Sequence, residues 1–180
     1  MKRIGAARAI RRELEARRRR LERMALSWCQ DPMLADDLVQ ECLTRAWEKR
    51  HQLHETERLD AWLFRILHNC WMEHLRRRRA TTELHEALEA PDQEPGWLLD
   101  RHQLAERVRQ AVAALPEGQR QVVTLVDLEG FRYAEVAEIL EIPPGTVMSR
   151  LSRARERLRV ALLHLQAPME ERQPRLRRVK

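Results

Sequence analysis

The segment from Gly130 to Leu165 constrains the fold of this chain more than any other part of the sequence. It reads GFRYAEVAEILEIPPGTVMSRLSRARERLRVALLHL, with the tripeptide Pro-Pro-Gly near its middle. Apolar residues recur every three or four positions on both sides of this turn, which is the spacing of amphipathic helices. They are Phe131, Ala134, Val136, Ala137, Ile139 and Leu140 before the turn, and Val147, Leu151, Ala154, Leu158, Ala161 and Leu165 after it. Two short helices joined by a tight turn, the second rich in arginine, predict a helix-turn-helix.

The second of these helices carries polar and basic residues away from its apolar stripe. In a helix-turn-helix, the N-terminal side chains of the second helix enter the major groove of DNA. Arginines there contact guanine or phosphate, while Thr146 and Ser149 reach phosphate or base edges. A solvated charged face and a plain helical hairpin are the alternatives. The turn, together with the distribution of charge, favours a DNA-binding element.

The charge of the chain also favours a polyanionic partner. Its formal net charge is +6 over 180 residues. The charge is uneven: residues 1–20 hold nine Lys or Arg against two Glu, and residues 81–100 hold six Asp or Glu with no Lys or Arg. No apolar run reaches the roughly 18 residues that a membrane helix needs, and the basic start lacks the apolar core of a secretory signal. The sequence predicts no membrane span.

The acidic segment divides the chain into two predicted units. The stretch ATTELHEALEAPDQEPG, residues 80–96, has two prolines and a glycine and resembles a tether. With five glycines and one tyrosine in the whole chain, strands have little support. We predict an all-α fold of two small helical domains joined by a flexible acidic linker, the C-terminal one containing the helix-turn-helix. The predicted bounds are 1–80, linker 81–98, 99–166 and a basic tail 167–180.

Apolar stripes predict the packing of the remaining helices. The C-terminal unit gains two supporting helices, with buried stripes at Leu104, Val108, Ala111, Val112 and Leu115, then at Val122, Val123, Leu125, Val126 and Leu128. The N-terminal unit has three helices, the first at about residues 6–30. Their stripes are Leu14, Leu21, Met24, Ala25 and Trp28; Leu38, Val39, Cys42, Leu43, Ala46 and Trp47; and Leu63, Ile66, Leu67, Cys70 and Leu75.

The third helix ends in a run of four arginines, Arg76 to Arg79. Positive charge is favoured at a helix C-terminus and also holds phosphates. Trp62 and Trp71 lie beside this basic edge, where they stack on unpaired bases or pack in the core.

The cysteines and histidines give little support for metal or redox chemistry. Three cysteines with no CxxC spacing argue against structural disulfides and fit a reducing cytoplasm. His68, Cys70 and His74 are close in sequence, and the alternatives are a zinc site or a buried thiol beside packed histidines. There is no serine–histidine–acid arrangement that we can place and no glycine-rich phosphate loop. The sequence predicts no catalytic residues, cofactor or metal site.

The motifs resemble those of a known family. ADDLVQECLTRAW, then DAWLFRILHN with its arginine run, a linker, and ALPEGQRQVVTLVDLEGFRYAEVAEILEIPPGTVMSRLSRARERL resemble the two-domain sigma factors of the extracytoplasmic-function (ECF) group. The resemblance covers about residues 20–165. It implies a protein that binds core RNA polymerase, directs it to promoter DNA and is controlled by an anti-sigma factor. It also implies that the acidic linker threads into the polymerase cleft.

The resemblance assigns a role to residues in each helix pair. Those implied to bind core polymerase are Asp36, Asp37, Leu38, Gln40, Glu41 and Arg45. Those implied to bind the minus-10 element are Lys49, Arg50, Trp62, Arg65, Asn69, Arg76 and Arg77, with the loop from Lys49 to Arg58. Those implied to bind the minus-35 element are Arg132, Tyr133, Thr146, Met148, Ser149, Arg150, Arg153 and Arg155.

Parts of the sequence depart from the family pattern. Met148 stands where the family often has a lysine, and the Cys-Trp pair and Glu73 replace the small-residue and aspartate pattern that is commoner after Asn69. The first twenty residues and the tail RQPRLRRVK lie outside the match, and we interpret them as disordered arms that add non-specific DNA affinity.

Two other functions are compatible with the residues alone. A dimeric helix-turn-helix regulator would bind a palindromic duplex without polymerase, using the N-terminal unit to dimerise. An RNA-binding helical protein would prefer structured or single-stranded RNA.

Overall fold

The computed structural model describes residues 2–53, 58–82 and 101–163. Within these ranges the chain forms seven α-helices and no strand. They are α1 (Lys2–Cys29), α2 (Pro32–Glu48), α3 (Leu59–Thr82), α4 (Arg101–Ala113), α5 (Glu117–Val123), α6 (Tyr133–Leu140) and α7 (Pro144–Leu163). A 3-10 turn, Arg50–Gln52, follows α2, and a π-helical turn, Thr124–Leu128, extends α5. The all-α prediction is confirmed. Residues 83–100 and 164–180 lie outside the described residues, so the linker and tail stay predictions, as do the domain bounds.

The first three helices pack around one apolar core. Asp31 caps α2: its carboxylate accepts hydrogen bonds from the backbone N–H groups of Met33 (2.9 Å) and Leu34 (3.2 Å). Pro32 occupies the first helical position, where a missing N–H costs nothing. The core holds most of the residues predicted for it; those no more than 2% exposed include Leu21, Met24, Trp28, Leu38, Val39, Leu63 and Leu67.

Trp47 was predicted to be buried on α2, and that prediction is wrong. The side chain is 36% exposed. It lies in the last turn of α2, which ends at Glu48. The guanidinium of Arg50 stacks on its ring at 4.5 Å, so one face of the indole carries a cation instead of core side chains.

The basic N-terminal segment is helical, which corrects its interpretation as a disordered arm. Helix α1 begins at Lys2, and Leu14 is already buried at 5% exposure. Arg17 and Arg20 both pair with Asp60 at the start of α3. These tertiary ion pairs hold the C-terminal part of the basic segment against the start of α3.

The C-terminal helices differ from their predicted stripes at two places. Leu104 and Val108 on α4 are 48% and 37% exposed, because α4 buries surface mainly through its last turns, at Ala111 and Val112. Leu128 is 66% exposed because the π turn inserts a wider loop: the N–H of Glu129 donates to the carbonyl of Thr124, five residues back, at 3.1 Å. This shifts the later residues off the buried stripe.

None of the helices in the described ranges has the length and apolar character that a bilayer crossing requires.

His68 lies buried on α3, with its ring roughly perpendicular to that of Trp28 and 6.2 Å between the ring centroids. Burial lowers the pKa of His68 to about 4, against a smaller opposing effect of the Glu141 carboxylate. As the pH falls below about 6.5 the unfolded chain binds the proton first. The contribution of neutral His68 to the free energy of unfolding is therefore fully present above that pH. It decreases as the pH falls to about 4, where His68 of the folded state is protonated too. We expect a loss of about 3 kcal/mol across this window, measured by urea unfolding.

His68→Gln should remove this pH dependence. Asp60, where Arg17 and Arg20 outweigh the effect of burial, and Glu135, which accepts the N–H of Arg132, have pKa values below their ordinary 3.8 and 4.5. Their own pH dependence begins only near those ordinary values and should be retained. Equal slopes for His68→Gln and the wild type between pH 6.5 and 4.5 would contradict the assignment of this proton to His68.

Candidate nucleic-acid interface

Helices α6 and α7 form the predicted helix-turn-helix. Gly130, with a φ of 76°, ends the helical segment after the π turn. At the start of α6, the Glu135 carboxylate accepts a 2.7 Å hydrogen bond from the backbone N–H of Arg132. Glu141 ends α6 with a left-handed φ of 54°, and α7 begins three residues later at Pro144. The short turn and the early proline set the direction of α7.

The inner face of α7 fixes which side chains point outward. Val147, Leu151 and Ala154 are at most 2% exposed and pack against α5 and α6. Ala137 on α6 is small and 9% exposed, so the two helices approach closely. The outward side of the first turns is therefore opposite these three residues.

Three of the predicted DNA-contacting residues lie at or beside that outward side. Met148 is 57% exposed, Ser149 and Arg153 are exposed, and the Ser149 hydroxyl donates to the carbonyl of Thr146 at 3.1 Å. Thr146 is half-buried. Together these side chains offer a hydroxyl acceptor, an apolar thioether and a guanidinium to a groove.

Two of the predicted arginines are engaged within the protein. Arg155 makes a bidentate pair with Asp127 in the π turn, at 2.6 and 3.1 Å. The guanidinium of Arg150 lies over Gly118 at the start of α5, where a Cβ would come within 2.8 Å of it. Arg150 and Arg155 therefore brace α7 from opposite sides, and Arg153 is the arginine of the three that reaches outward.

The minus-35 residues assigned from the sequence did not include Ser152 or Glu156. Both are exposed, and the helical repeat of α7 places them on the same outward side as Ser149. Glu156 pairs with Arg159 at 2.7 Å. The signal was present in the spacing 149, 152, 156, which repeats every three or four residues.

Arg132 and Tyr133 lie at the start of α6. The Arg132 side chain is 86% exposed and pairs with Glu135 at 3.4 Å, and Tyr133 is 40% exposed. Both remain accessible beside α7.

The predicted minus-10 residues lie along α3 and the turn before it. Arg65, Arg76 and Arg77 are exposed, and Trp62 and Asn69 are half-buried. Arg65 pairs with Glu141 of the helix-turn-helix at 3.2 Å, and Arg77 pairs with Glu73 at 3.3 Å. Lys49 is exposed, and Arg50 is held by Trp47. Residues 54–57 of the predicted loop lie outside the described residues.

A cleft of about 900 Å³ lies between α3 and α6. Trp62, Arg58, Arg65 and Arg132 line it together with Glu135 and Glu138. The cleft brings predicted minus-10 and minus-35 residues to the same surface.

The predicted polymerase-binding residues occupy one side of α2, with one exception. Asp37 and Gln40 are exposed, and Asp36 accepts hydrogen bonds from Arg18 (2.9 Å) and Gln40 (2.7 Å). Leu38 is the exception: it is 2% exposed and belongs to the core, so it cannot contact a partner in the folded chain.

Arg45 spans two helices beneath the acidic side of α2. It pairs with Glu41 at 2.5 Å and with Glu73 of α3 at 2.6 Å. Hydrogen bonds from Arg45 lower the pKa of Glu73 below its ordinary value. The unusual Glu73 thus holds α2 against α3.

The three residues considered for zinc are not arranged as a metal site. Cys70 is 1% exposed, and burial raises the pKa of its thiol to about 11. The ring of His74 stacks on Trp71 at 5.7 Å. Among the described residues no group of three His, Cys, Asp or Glu side chains is close enough to hold a metal ion.

Comparison with known proteins identifies the family. Residues 14–81 match the model for sigma-70 region 2, and residues 105–158 match the model for sigma-70, region 4. The chain is 36% identical over 144 residues to the ECF RNA polymerase sigma factor EcfG of Rhodopseudomonas palustris, covering 79% of this chain and 78% of that protein. The chain belongs to the ECF sigma factors. It is also 35% identical over 132 residues to the ECF RNA polymerase sigma-E factor of Escherichia coli K12, covering 67% of this chain and 69% of that protein.

Solved structures support the same assignment. The sigma factor RpoE in complex with the anti-sigma factor NepR, from Bartonella quintana, is 30% identical to this sigma factor, with a TM-score of 0.74 over 88% of this chain and 99% of that one. CnrH, in complex with the cytosolic domain of CnrY, is 27% identical, with a TM-score of 0.61 over 89% and 90% of the two chains.

Family membership decides between the functions that the residues left open. Sigma factors bind core RNA polymerase and direct it to promoters, so this sigma factor is a transcription initiation factor. The region 2 match covers α2 and most of α1 and α3. The alternative of a dimeric regulator required these same helices to form a dimer interface instead. The match begins at residue 14, so part of the basic N-terminal segment belongs to the family fold.

Proposed function

We propose that this sigma factor reads the minus-35 element with the outward side of α7, reads the minus-10 element with the polar edge of α3, and docks on polymerase through α2. We further propose that an anti-sigma factor controls it and that it acts in the cytoplasm, where the polymerase transcribes. The observation that carries the proposal is the outward side of α7. There, exposed polar, apolar and basic side chains follow an early proline at the start of a helix-turn-helix.

The polar side chains of α7 are of two kinds: those that contact the rest of the protein and those that extend into solvent. Arg150 lies against Gly118 and Arg155 pairs with Asp127, so these two arginines orient the helix and add positive potential near phosphates. Ser149, Met148 and Arg153 extend outward within the first three turns. Groups at the N-terminal end of a recognition helix are the ones that reach base edges.

Met148 suits contact with the methyl group of thymine. It is the large apolar side chain exposed at the start of α7, and apolar contact with the C5 methyl is the way such a side chain distinguishes thymine in the major groove. Replacing one minus-35 thymine by deoxyuridine, which removes only that methyl, should weaken holoenzyme binding roughly fourfold. The measurement is a titration of promoter duplexes with the holoenzyme, each carrying one substituted thymine.

Two variants make this prediction specific. Met148→Ala should lose the difference between thymine and uracil, while Met33→Ala, which truncates an 81% exposed methionine on α2, should keep it. If deoxyuridine weakened binding by Met148→Ala as much as it weakens binding by the wild type, at every minus-35 thymine, the contact between Met148 and a thymine methyl would be ruled out.

The α3 edge suits capture of opened DNA. Asn69 follows Arg65 by four residues and Arg76 follows Asn69 by seven, about one and two helical turns, so all three lie along one edge with Trp62 beside them. Positive groups beside an aromatic ring hold a single strand through phosphate contacts and base stacking. The exposure of Arg65 and Arg76, with Trp62 and Asn69 half-buried beside them, supports a role of this edge in the minus-10 step.

Control by an anti-sigma factor is supported by the solved relatives. NepR binds RpoE and the cytosolic domain of CnrY binds CnrH in those structures, and both sigma factors resemble this chain over close to nine-tenths of its length. The likeness therefore includes both groups of helices and not one domain alone.

The proposal is tested by transcription from a promoter with each element altered in turn. Core polymerase with this protein should initiate on the intact promoter and lose most transcripts when either element is scrambled. Ser149→Ala with Arg153→Ala should reduce dependence on the minus-35 sequence, and Glu106→Ala with Arg109→Ala, an exposed pair on α4, should leave it intact. Transcription that ignores both elements would refute the proposed assignment of α3 and α7.

A further inference from the structure

The arginines in the first turns of α1 have no partner in the protein. Arg8, Arg11 and Arg12 are exposed, and none of them has a hydrogen bond or an ion pair within the residues that the structure describes. By contrast, Arg17 further along the helix pairs with Asp60 of α3. The first turns of α1 therefore present positive charge that the protein itself does not neutralise.

The turns that carry these arginines are attached to the apolar core. Ile10 packs against the core, and Leu14 is 5% exposed. Residues 2–12 contain five Lys or Arg and no Asp or Glu. The helical repeat places Arg8 and Arg12 on the side of α1 that points away from Leu14. Their guanidinium groups therefore extend into solvent from a helix whose position is fixed by packing.

The start of α1 extends past the start of α3. Arg20 pairs with Asp60, and Trp28, eight residues after Arg20, lies against His68, eight residues after Asp60. The two helices therefore run in the same direction. Arg8 precedes Arg20 by twelve residues, roughly 18 Å along the helix axis. The unpaired arginines thus lie beyond the end of α3 that we assign to the minus-10 element.

We propose that Arg8, Arg11 and Arg12 bind the DNA backbone beside the minus-10 element in the promoter complex. The guanidinium groups contact phosphates, so the contact adds affinity and carries no sequence information. The proposal rests on the proposed function, because that function places the adjoining start of α3 on the minus-10 element. The region 2 match begins at residue 14, so this contact lies outside the part of α1 that follows the family pattern.

The side chains around these arginines favour DNA phosphates over a lipid surface or unpaired bases. A helix that lies on a membrane inserts an apolar face, and the apolar side of α1, with Leu14 and Leu21, is buried in the protein. Residues 1–20 contain no aromatic side chain, so this part of α1 offers no ring on which an unpaired base could stack. The chemistry that remains is contact between guanidinium groups and phosphates.

Arg19 and Arg23 provide a matched control on the same helix. They are exposed and four residues apart, as Arg8 and Arg12 are, and they too lack an ion pair among the described residues. They line a groove between α1 and α2, beside Asp36, on the side that we assign to polymerase. Replacing either pair by glutamine removes two positive charges from α1, so the two double variants differ in the position of the lost charge.

The test is a titration of promoter duplex with reconstituted holoenzyme at salt concentrations from about 50 to 200 mM. Each phosphate contact adds about 0.9 to the slope of log affinity against log salt. Arg8→Gln with Arg12→Gln should therefore lower the slope by about 2 and weaken binding roughly tenfold at the lowest salt. The loss should be the same on a promoter with one minus-10 base pair changed, because phosphate contacts do not discriminate between bases. Arg19→Gln with Arg23→Gln should change the affinity less than about twofold.

A benzophenone side chain introduced at Ala9, an exposed position next to Arg8, locates the contact. Its crosslinks should map to promoter DNA within about one turn of duplex from the minus-10 element. Equal slopes for the two double variants, or crosslinks confined to polymerase subunits, would overturn the proposal. Circular dichroism and titration with core polymerase confirm that each variant folds and forms holoenzyme.

The same titrations separate this proposal from the proposed function. If wild-type holoenzyme binds the promoter no better than a duplex with both elements scrambled, the proposed function fails and the contact beside the minus-10 element fails with it. If holoenzyme prefers the promoter and the two double variants behave alike, only the contact by the start of α1 is lost.

Discussion

Trp28→Ala is expected to destabilise the protein by about 3–5 kcal/mol, the usual cost of removing a large aromatic side chain from a core. Trp28 is 1% exposed, packs against His68 and bonds Thr124, so truncation leaves a cavity and an unpaired hydroxyl acceptor. The measurement is urea unfolding followed by circular dichroism.

Trp47→Ala is the matched control for this substitution. The same atoms are removed from a side chain that is 36% exposed, so its cost should stay below about 1 kcal/mol. If the two variants lost similar amounts of unfolding free energy, the burial of Trp28 would not be the reason for its contribution to stability.

Asp37→Lys is expected to weaken binding to core polymerase roughly 30-fold or more, since charge reversal within an interface costs about 2 kcal/mol or above. Asp37 is exposed on the acidic side of α2, so its replacement should leave the stability of the fold unchanged within about 0.5 kcal/mol. Affinity is measured by titrating labelled sigma factor with core polymerase.

Glu15→Lys makes the same change of charge at an exposed position on α1 and is the control for Asp37→Lys. It should alter the affinity less than threefold. Equal losses for the two variants would indicate general electrostatic attraction, and the docking role of α2 would then be incorrect.

Local patterns predicted the helices and the helix-turn-helix well. The Pro-Pro-Gly tripeptide and the periodic apolar residues determine where α6 ends and α7 begins, and Val147, Leu151 and Ala154 are buried as their spacing required. These features depend on residues within a few positions of one another. A single sequence therefore contains the information needed to predict them.

Features that depend on distant residues were not predictable in this way. The π turn displaces Leu128 from its stripe, and no periodic pattern signals a wider turn. Arg20 and Glu129 are 109 residues apart in the chain, so a run of arginines in α1 gave no indication which of them would have a partner. The same limit applies to Arg155, whose position on α7 suggested DNA contact and whose guanidinium pairs with Asp127.

The most direct test of the account is run-off transcription by purified core polymerase on a library of random promoters, with and without this protein. Sequencing the transcript starts should reveal new starts that share a two-part upstream motif. They should disappear with Asp37→Lys and lose the upstream part of the motif with Ser149→Ala and Arg153→Ala. An absence of new starts, with selective retention of a palindromic duplex by the protein alone, would contradict the assignment as an initiation factor.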